Sequence, residues 1–587
     1  MRKTQGIVSI FLGFLMLVLI GFGLRPVKAV DETGYAVSQN IEECTNKNVT
    51  IKVLPIKGQT IADVKWKKGL KTESYFETDG NSASIIDNAA TFTVKTSGNF
   101  SIYVTDSQNN HELITYKISN IDKTAPQFSP VCSTENGEML IKLNIEEELD
   151  NISKAVYVEG KVTSASSIKW NSATEITNKS SFKVSKEGDY SILVTDLAGN
   201  QTIQNVKASL EMRAVWISYL EFANAKVENK TEAQFKAWVN TMFDKCVAMN
   251  MNAVVVQVRP FGDALYDSDY FPWSKYVSGK QGQNPGYDPL KYMVEAAHKR
   301  QLQIHAWLNP YRVTSGDTKI SNLSSDNPAR KWRKSSSKSK QRNVLTFNGS
   351  LYYNPAKSAV RNLIVNGVVE IVEKYDVDGI HFDDYFYPTL GSNYKTVFDY
   401  TEYKSYVSDC KNNNTTPSSI VSWRRKNVNK LIRAVYKAIK EKKSDVQFGI
   451  SPAGNINNLY ANDRYYVAVK TWMKSEKYVD YVCPQIYWSF EHSICPYDKT
   501  LTAWTALKKS DTVKLYVGIA AYRAGISASE AKSIGDTGWS KSSSEMKKQV
   551  QYGRNTKMVD GYMFYRYDNL ISSKAKKEVA NLKGILQ

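Results

Sequence analysis

At 587 residues, with 42% hydrophobic and 12% aromatic composition, the chain is too long for one domain and rich enough in apolar residues to build several cores. Its formal net charge of +19 calls for an anionic surrounding or partner. The six cysteines show no C-x-x-C spacing, there are five histidines, and no P-loop or dinucleotide fingerprint occurs. Neither a metal nor an organic cofactor is therefore expected, and cysteine spacing assigns no disulfide pairing.

Arg2 and Lys3 precede an apolar run from Ile7 to Leu24, and Val27-Lys28-Ala29 offers a small-residue cleavage site before Val30. This pattern predicts a signal peptide over 1–29 and a secreted protein, extracellular or associated with the cell wall. Left uncleaved, the same run would serve as a membrane anchor. Export argues against nucleic acid as the anionic partner and leaves wall polymers, acidic glycans or phospholipid headgroups.

From 30 to 210 the signals are short alternating runs, TIKVLPI, SASII, TFTVKT and FSIYVTD, separated by Gly, Asn, Asp and Ser. Gly98-Asn-Phe-Ser-Ile-Tyr-Val-Thr-Asp106 recurs 90 residues later as Gly188-Asp-Tyr-Ser-Ile-Leu-Val-Thr-Asp196, each followed by a polar turn. The repeat predicts two immunoglobulin-like β-sandwiches, 30–121 and 122–210, joined at the proline-marked Ile121–Phe128 linker. They read as spacers, or as binders of a wall polymer.

From 211 to 587 the pattern becomes strand, loop and long helix. Strands are predicted at 213–220, 253–259, 303–309, 379–383, 447–452, 481–487, 514–520 and 561–567, with helices between them. Eight such alternations predict a closed (β/α)8 TIM barrel. The whole chain thus reads as two all-β sandwiches followed by an α/β barrel.

In a barrel of this kind the chemistry sits at the strand C-termini. The fourth strand supplies the sharpest signal, Asp376–Pro388, reading DVDGIHFDDYFYP. Gly379, His381 and Asp383 share one face of a period-2 element, and the turn after the strand lets Asp384 reach the same pocket. Two adjacent acids cannot both ionise freely, which suits acid/base or nucleophile work at a glycosidic bond. The competing reading has one acid capping the next loop or pairing with an arginine such as Arg312.

Asp383 is the expected central carboxylate, as nucleophile or transition-state stabiliser, with Asp384 second. For the partner acid or base the order is Glu491, Asp263, then Glu221. Substrate-binding candidates are Arg259, His305, Asn309, His381, Asn455, Gln485, Tyr487 and Arg566. Trp307 and Trp488 are the stacking platforms, and the 36 tyrosines suit sugar faces as well as cores. The segment 330–342, RKWRKSSSKSKQR, places seven basic residues on a loop after the third strand. It is either a solvated loop or an attractor of anionic polymer.

The motifs MRAVWIS, VVQVRPFGDALY, HAWLNPYR, DGIHFDDYFYP, FGISPAGN and CPQIYW together resemble the glycoside-hydrolase-like family 10, over about residues 211–570 in matching order. The resemblance implies a secreted or lipid-anchored bacterial barrel that hydrolyses cell-surface glycan, including peptidoglycan strands free of stem peptides. It places the family's acidic pair on Asp383 and Asp384. The same segment is partly similar to the chitinase signature, but His381 stands for its middle acid and Tyr385 for its catalytic glutamate. That departure speaks against substrate-assisted chitinase chemistry. The expected function is hydrolysis of an amino-sugar glycan of the cell wall. The alternatives are an exopolysaccharide hydrolase and a non-catalytic glycan-binding attachment protein.

Overall fold

The structure, a computed structural model, describes residues 34–586 apart from residues 57, 136, 137, 147, 476, 509 and 511. The expected signal peptide and cleavage site lie outside the described residues. No described helix is long and apolar enough to cross a membrane. The chain divides into two compact units, Met1–Ala125 with Thr195–Gln201, and Pro126–Val194 with Thr202–Gln587.

The first unit holds two four-stranded antiparallel sheets. Val49, Ile51 and Val53 are buried while Thr50 and Lys52 between them are not, the alternation expected of strands with one covered face. Their buried faces meet in a core that includes Val64, Phe92, Ile102 and Ile114.

The internal repeat is a turn device. Gly98 and Gly188 share φ +149°, a backbone that L side chains rarely adopt. After each repeat an aspartate closes the turn. Asp106 accepts the N–H of Asn110 at 2.8 Å, and Asp196 accepts that of Asn200 at 2.8 Å.

The second unit contains a small β module, with a three-stranded and a four-stranded sheet, and the barrel. The barrel strands are β1 Met212–Ile217, β2 Ala253–Arg259, β3 Gln303–Leu308, β4 Gly379–Phe382, β5 Gln447–Ile450, β6 Tyr481–Val482, β7 Lys514–Ile519 and β8 Gly561–Tyr565. All neighbours pair in parallel, and β8 closes onto β1. Helices between them include α1 Glu232–Ala248, α2 Pro289–His298, α3 Ser358–Lys374 and α4 Ile420–Lys442.

Every residue of β2 is buried, because strands of a helix-wrapped barrel are covered on both faces. Met212, Ala214, Trp216, Val255, Trp307, Tyr481 and Met563 fill the interior, while Val215, Ile217, Val254 and Val256 pack outward. β6 is shorter than expected because Pro484 has no N–H for the ladder. Pairing resumes only as single bridges from Gln485 to Ala453 and Gly518.

A polar chain runs through this interior. Trp216 Nε1 donates to His381 Nε2 at 3.2 Å, so the imidazole proton sits on Nδ1 and is given to the Tyr481 hydroxyl at 2.9 Å. That hydroxyl donates in turn to His305 Nδ1 at 2.9 Å, and His305 Nε2 faces Gln303 Oε1 at 3.4 Å. Gln303 Nε2 ends the chain on the Cys132 carbonyl of the β module at 2.7 Å. Burial holds both histidines neutral, His305 down to about 4 and His381 well below the usual imidazole range. Two glycines make the room: a Cβ on Gly379 would meet the His305 ring at 2.6 Å, and one on Gly449 the Tyr481 ring at 2.0 Å.

The β module closes the N-terminal end of the barrel. Lys142 reaches Asp445 at 2.7 Å and Asp378, just before β4, at 3.9 Å. Asp378 also accepts His298 Nε2 at 2.9 Å and the Ile304 N–H at 2.8 Å.

Candidate active site

β4 delivers Asp383 and Asp384 to the C-terminal mouth. Asp383 is 3% exposed; its Oδ2 accepts the Trp307 indole N–H at 3.2 Å and its Oδ1 the Tyr385 backbone N–H at 3.0 Å. One carboxylate oxygen therefore does cap the following loop. Asp384 is half-buried and hydrogen-bonded by the Gln485 side chain, which also reaches the Ser451 carbonyl at 3.1 Å.

Both carboxyls are pushed above the ordinary range, mainly by burial. At Asp383 the Asp384 charge adds to the rise, while the Tyr385 N–H, Arg312 and Trp307 oppose it. At Asp384 Gln485 and Arg312 oppose the rise. Such a pair titrates as a unit and holds one proton between its members over a range in which isolated aspartates have none.

Arg312 lies with its guanidinium 4.7 Å from the Tyr385 ring and 5.0 Å from the Phe261 ring, and donates to Ser315 Oγ at 3.0 Å. It acts on both acids through space. Around the pair stands a group of tyrosines. Tyr487 lies 6.0 Å from Tyr565 and 5.7 Å from Tyr522, ring centre to ring centre. Tyr565 feels the charge of Asp383, and Tyr487 and Tyr465 that of Asp384. Tyr385 is 52% exposed and supplies an open ring face.

Asn309 follows Leu308, which pairs with Phe382, so it lies level with Asp383. Its Oδ1 accepts Gln257 Nε2 at 2.8 Å, and its Nδ2 is buried with no protein acceptor. Ser451 Oγ, at the end of β5, is in the same condition. Both are spare polar groups beside the central strand.

The other candidates are placed elsewhere. Glu491 is exposed and paired with Lys541. Asp263 is buried against Gln281 Nε2 at 2.9 Å, its carboxyl pushed up to about 6 by burial. Glu221 accepts from Ser218 as a helix cap and pairs with Arg566 at 2.5 Å. Arg566 is thus engaged behind the site, and Tyr565 is the residue of β8 that faces it.

A bulge at Gln257/Arg259 breaks the β2 register, and Arg259 lies over Phe271, a residue of the outer core. His305 and His381 belong to the buried interior chain. Trp307 holds Asp383 by its N–H and is 6% exposed, so it offers no stacking face. Asn455 caps a short helix through the N–H groups of Asn457 and Asn458. Trp488 is partly exposed, 5.8 Å from the His492 ring. Among the described residues no group of three or more His, Cys, Asp or Glu is disposed to hold a metal ion.

At the end of the eighth strand the sequence put Arg566 rather than Tyr565 forward as the binder, and Tyr385 entered only as the departure from the chitinase signature. For Tyr565 the signal was present, since alternation from Gly561 through Met563 puts it inside and Arg566 outside. For Tyr465, whose backbone is left-handed at φ 58°, there was none.

A family model described as Glycosyl hydrolase-like 10 matches residues 211–535. The chain is 36% identical to glycosyl hydrolase YngK of Bacillus subtilis over 391 residues, covering 62% of this chain and 70% of that protein. It is 32% identical to glycosyl hydrolase DigH of Escherichia coli K12 over 418 residues, covering 67% and 91%. Among solved structures, the glycoside hydrolase domain of PgaB from Bordetella bronchiseptica matches 63% of this chain and 99% of its own, with TM-score 0.43 and 12% identity.

Proposed function

From the premise that the chain belongs to the glycosyl hydrolase-like 10 family, we propose that it is a secreted glycoside hydrolase that cleaves peptidoglycan glycan strands, with Asp383 and Asp384 as its acid/base pair. The observation that carries this reading is the pair itself: two adjacent carboxyls, one buried and one half-buried, with raised affinity for protons at the mouth of the barrel. The member that holds the shared proton gives it to the leaving glycosidic oxygen. The ionised member faces the positive charge that develops at the sugar ring, and water adds to the anomeric carbon as the C–O bond breaks, its released proton restoring the pair. Asn309 and Ser451 supply hydrogen bonds to sugar polar groups, and Tyr385 and Tyr522 offer ring faces to sugar C–H faces.

The basic segment supports an anionic polymer as substrate. Its arginines are engaged internally: Arg330 donates to the Leu323 carbonyl, Arg333 to the Val344 carbonyl, and Arg342 pairs with Glu402. Lys331, Lys334, Lys338 and Lys340 are exposed and are the charges a passing polymer meets.

The test is digestion of peptide-free peptidoglycan strands by the 30–587 chain, with mass spectrometry of the products and Asp383→Asn and Asp384→Asn in parallel. Shortened oligosaccharides from wild type, reduced about 10²- to 10⁴-fold in either variant, are expected. Equal cleavage by both variants would remove the pair from the mechanism. Retention of the strands by wild type without cleavage would favour a glycan-binding protein.

A further inference from the structure

Among the described residues, two arginines of this barrel are fully buried, and they differ in one respect. Arg424 is satisfied at every turn: it pairs with Asp399 at 2.7 Å and donates to the carbonyls of Tyr394 and Val397 and to the Tyr466 hydroxyl. Arg259 is 0% exposed, and Nε, Nη1 and Nη2 all lack a hydrogen-bond partner. A guanidinium cannot shed its charge at any ordinary pH, and burying one unpaired is among the most costly arrangements a protein can hold.

Its surroundings are rich in donors. The Phe271 ring lies 4.5 Å from the guanidinium carbon and covers one face. The groups it acts on are the phenols of Tyr266 and Tyr353 and the carboxyl of Asp263. The buried hydroxyls of Tyr353 and Tyr266 have no partner either. Asp263 forms no ion pair with Arg259; its Oδ2 is taken by Gln281, and Oδ1 is its only spare acceptor. Gly262 leaves the Tyr353 hydroxyl uncrowded, since a Cβ there would press on it at 3.3 Å and on Val313 at 3.2 Å.

The five guanidinium N–H groups and the unpartnered hydroxyls of Tyr266 and Tyr353 thus outnumber the acceptors beside them, the two phenol oxygens and Asp263 Oδ1. Water would accept two of these hydrogens and bring two of its own, leaving the surplus of donors unchanged. A small anion accepts without donating and neutralises the charge. We propose that Arg259 and Tyr353 form a buried site for a small monovalent anion of the halide class, in the outer wall of the barrel beneath the loops that follow β2 and β3. The site sits directly behind the mouth, because the Arg259 carbonyl accepts the N–H of Asn309 at 2.9 Å. Its ligand braces the wall that presents Asn309 to substrate.

The probe is sodium bromide on the wild-type chain. Crystals soaked in bromide and measured at the bromine edge should show an anomalous peak within hydrogen-bonding reach of Arg259 and the Tyr353 hydroxyl. Water alone at that place in the bromide-soaked crystal overturns the proposal. In solution, Tm should rise with bromide or chloride relative to gluconate at equal ionic strength. Tyr353→Phe, which keeps the ring and removes one donor, should weaken the apparent halide affinity about two- to tenfold. A wild-type Tm indifferent to halide over gluconate also overturns it.

Discussion

Asp378 and Asp383 stand five residues apart on either side of the same short strand, are 1% and 3% exposed, and behave oppositely as acids. Burial pushes both upward. At Asp378, His298 at 2.9 Å, Lys142 and the Ile304 N–H outweigh it and hold the carboxyl down to about 2. At Asp383 burial is joined by the charge of another carboxyl, Asp384, and the group rises. Equal burial has produced a permanent anion at one end of β4 and a proton-holding acid at the other. The partners, not the depth, decide which end keeps a charge and which keeps a proton.

The comparison is broken most strongly by exchanging charge for an isosteric amide at each end. Asp383→Asn or Asp384→Asn should lower glycan cleavage about 10²- to 10⁴-fold and leave the fold intact. Asp378→Asn should do the reverse. It strands His298 and Lys142 against a neutral group and should cost about 3 kcal/mol of stability, while kcat per folded molecule stays the same. Chemical denaturation beside a cleavage assay reads both. A loss of activity in Asp378→Asn at full stability would erase the division between the two ends.

Lys142→Met tests the same base from the β-module side. Lys142 is buried, and its pKa is raised by Asp378 and Asp445 against the cost of burial. Its removal leaves Asp378 with His298, so the expected loss is smaller, about 1–3 kcal/mol. The β module and barrel should then lose cooperativity in unfolding, which differential scanning calorimetry would show as a broadened transition. An unchanged transition would mean that the module does not brace the barrel.

The two ends also sharpen each other through pH. Because Asp378 is lowered, its contribution is present above the unfolded value near 4 and is lost as pH falls toward 2. Because Asp383 and Asp384 are raised, their contribution is full below about pH 4 and is lost as pH rises through their folded values. His298 is raised by Asp378 and weakens in the same alkaline direction. Tm should therefore fall on both sides of a mildly acidic maximum. Asp378→Asn should flatten the acid limb, and Asp383→Asn should flatten part of the alkaline limb, with His298 keeping the rest. An acid limb untouched by Asp378→Asn would contradict this assignment.

The barrel was legible because its strands are buried on both faces and so read as apolar runs; β2 fell where the sequence put it, at Ala253–Arg259. β6 was overextended because Pro484 ends the ladder while the apolar pattern continues. Within the site, strand ends gave the address of Asp383, Asp384, Gln485 and Tyr487, which the structure brings together. Alternation shows which residues of β3 point inward, but not their level along the axis. His305, Trp307 and Asn309 are all interior, and only Asn309 is level with Asp383. The bulge that redirects Arg259, and the salt bridge from Lys142 to a strand more than two hundred residues away, leave no local mark on the sequence.

The smallest change is the most specific. Trp307→Phe keeps an aromatic ring beside His381 and removes the N–H that reaches Asp383 at 3.2 Å, together with one ring of the indole. That bond favours the ionised carboxyl, so its loss should let the pair hold its proton to higher pH. A hydrogen bond of about 0.5–1.5 kcal/mol converts to a shift of about 0.4–1 pH unit. The limb of the cleavage profile that reports the pair should move upward by that amount, with about 1–2 kcal/mol of stability lost to the volume the smaller ring leaves empty. The deep end offers the matching control: Asp378 lies below the interior chain and shares no donor with Trp307, so the acid limb of Tm should stay in place. A profile that does not move in Trp307→Phe would mean that burial and Asp384 alone set the proton affinity of Asp383, and that the indole serves only to pack the mouth.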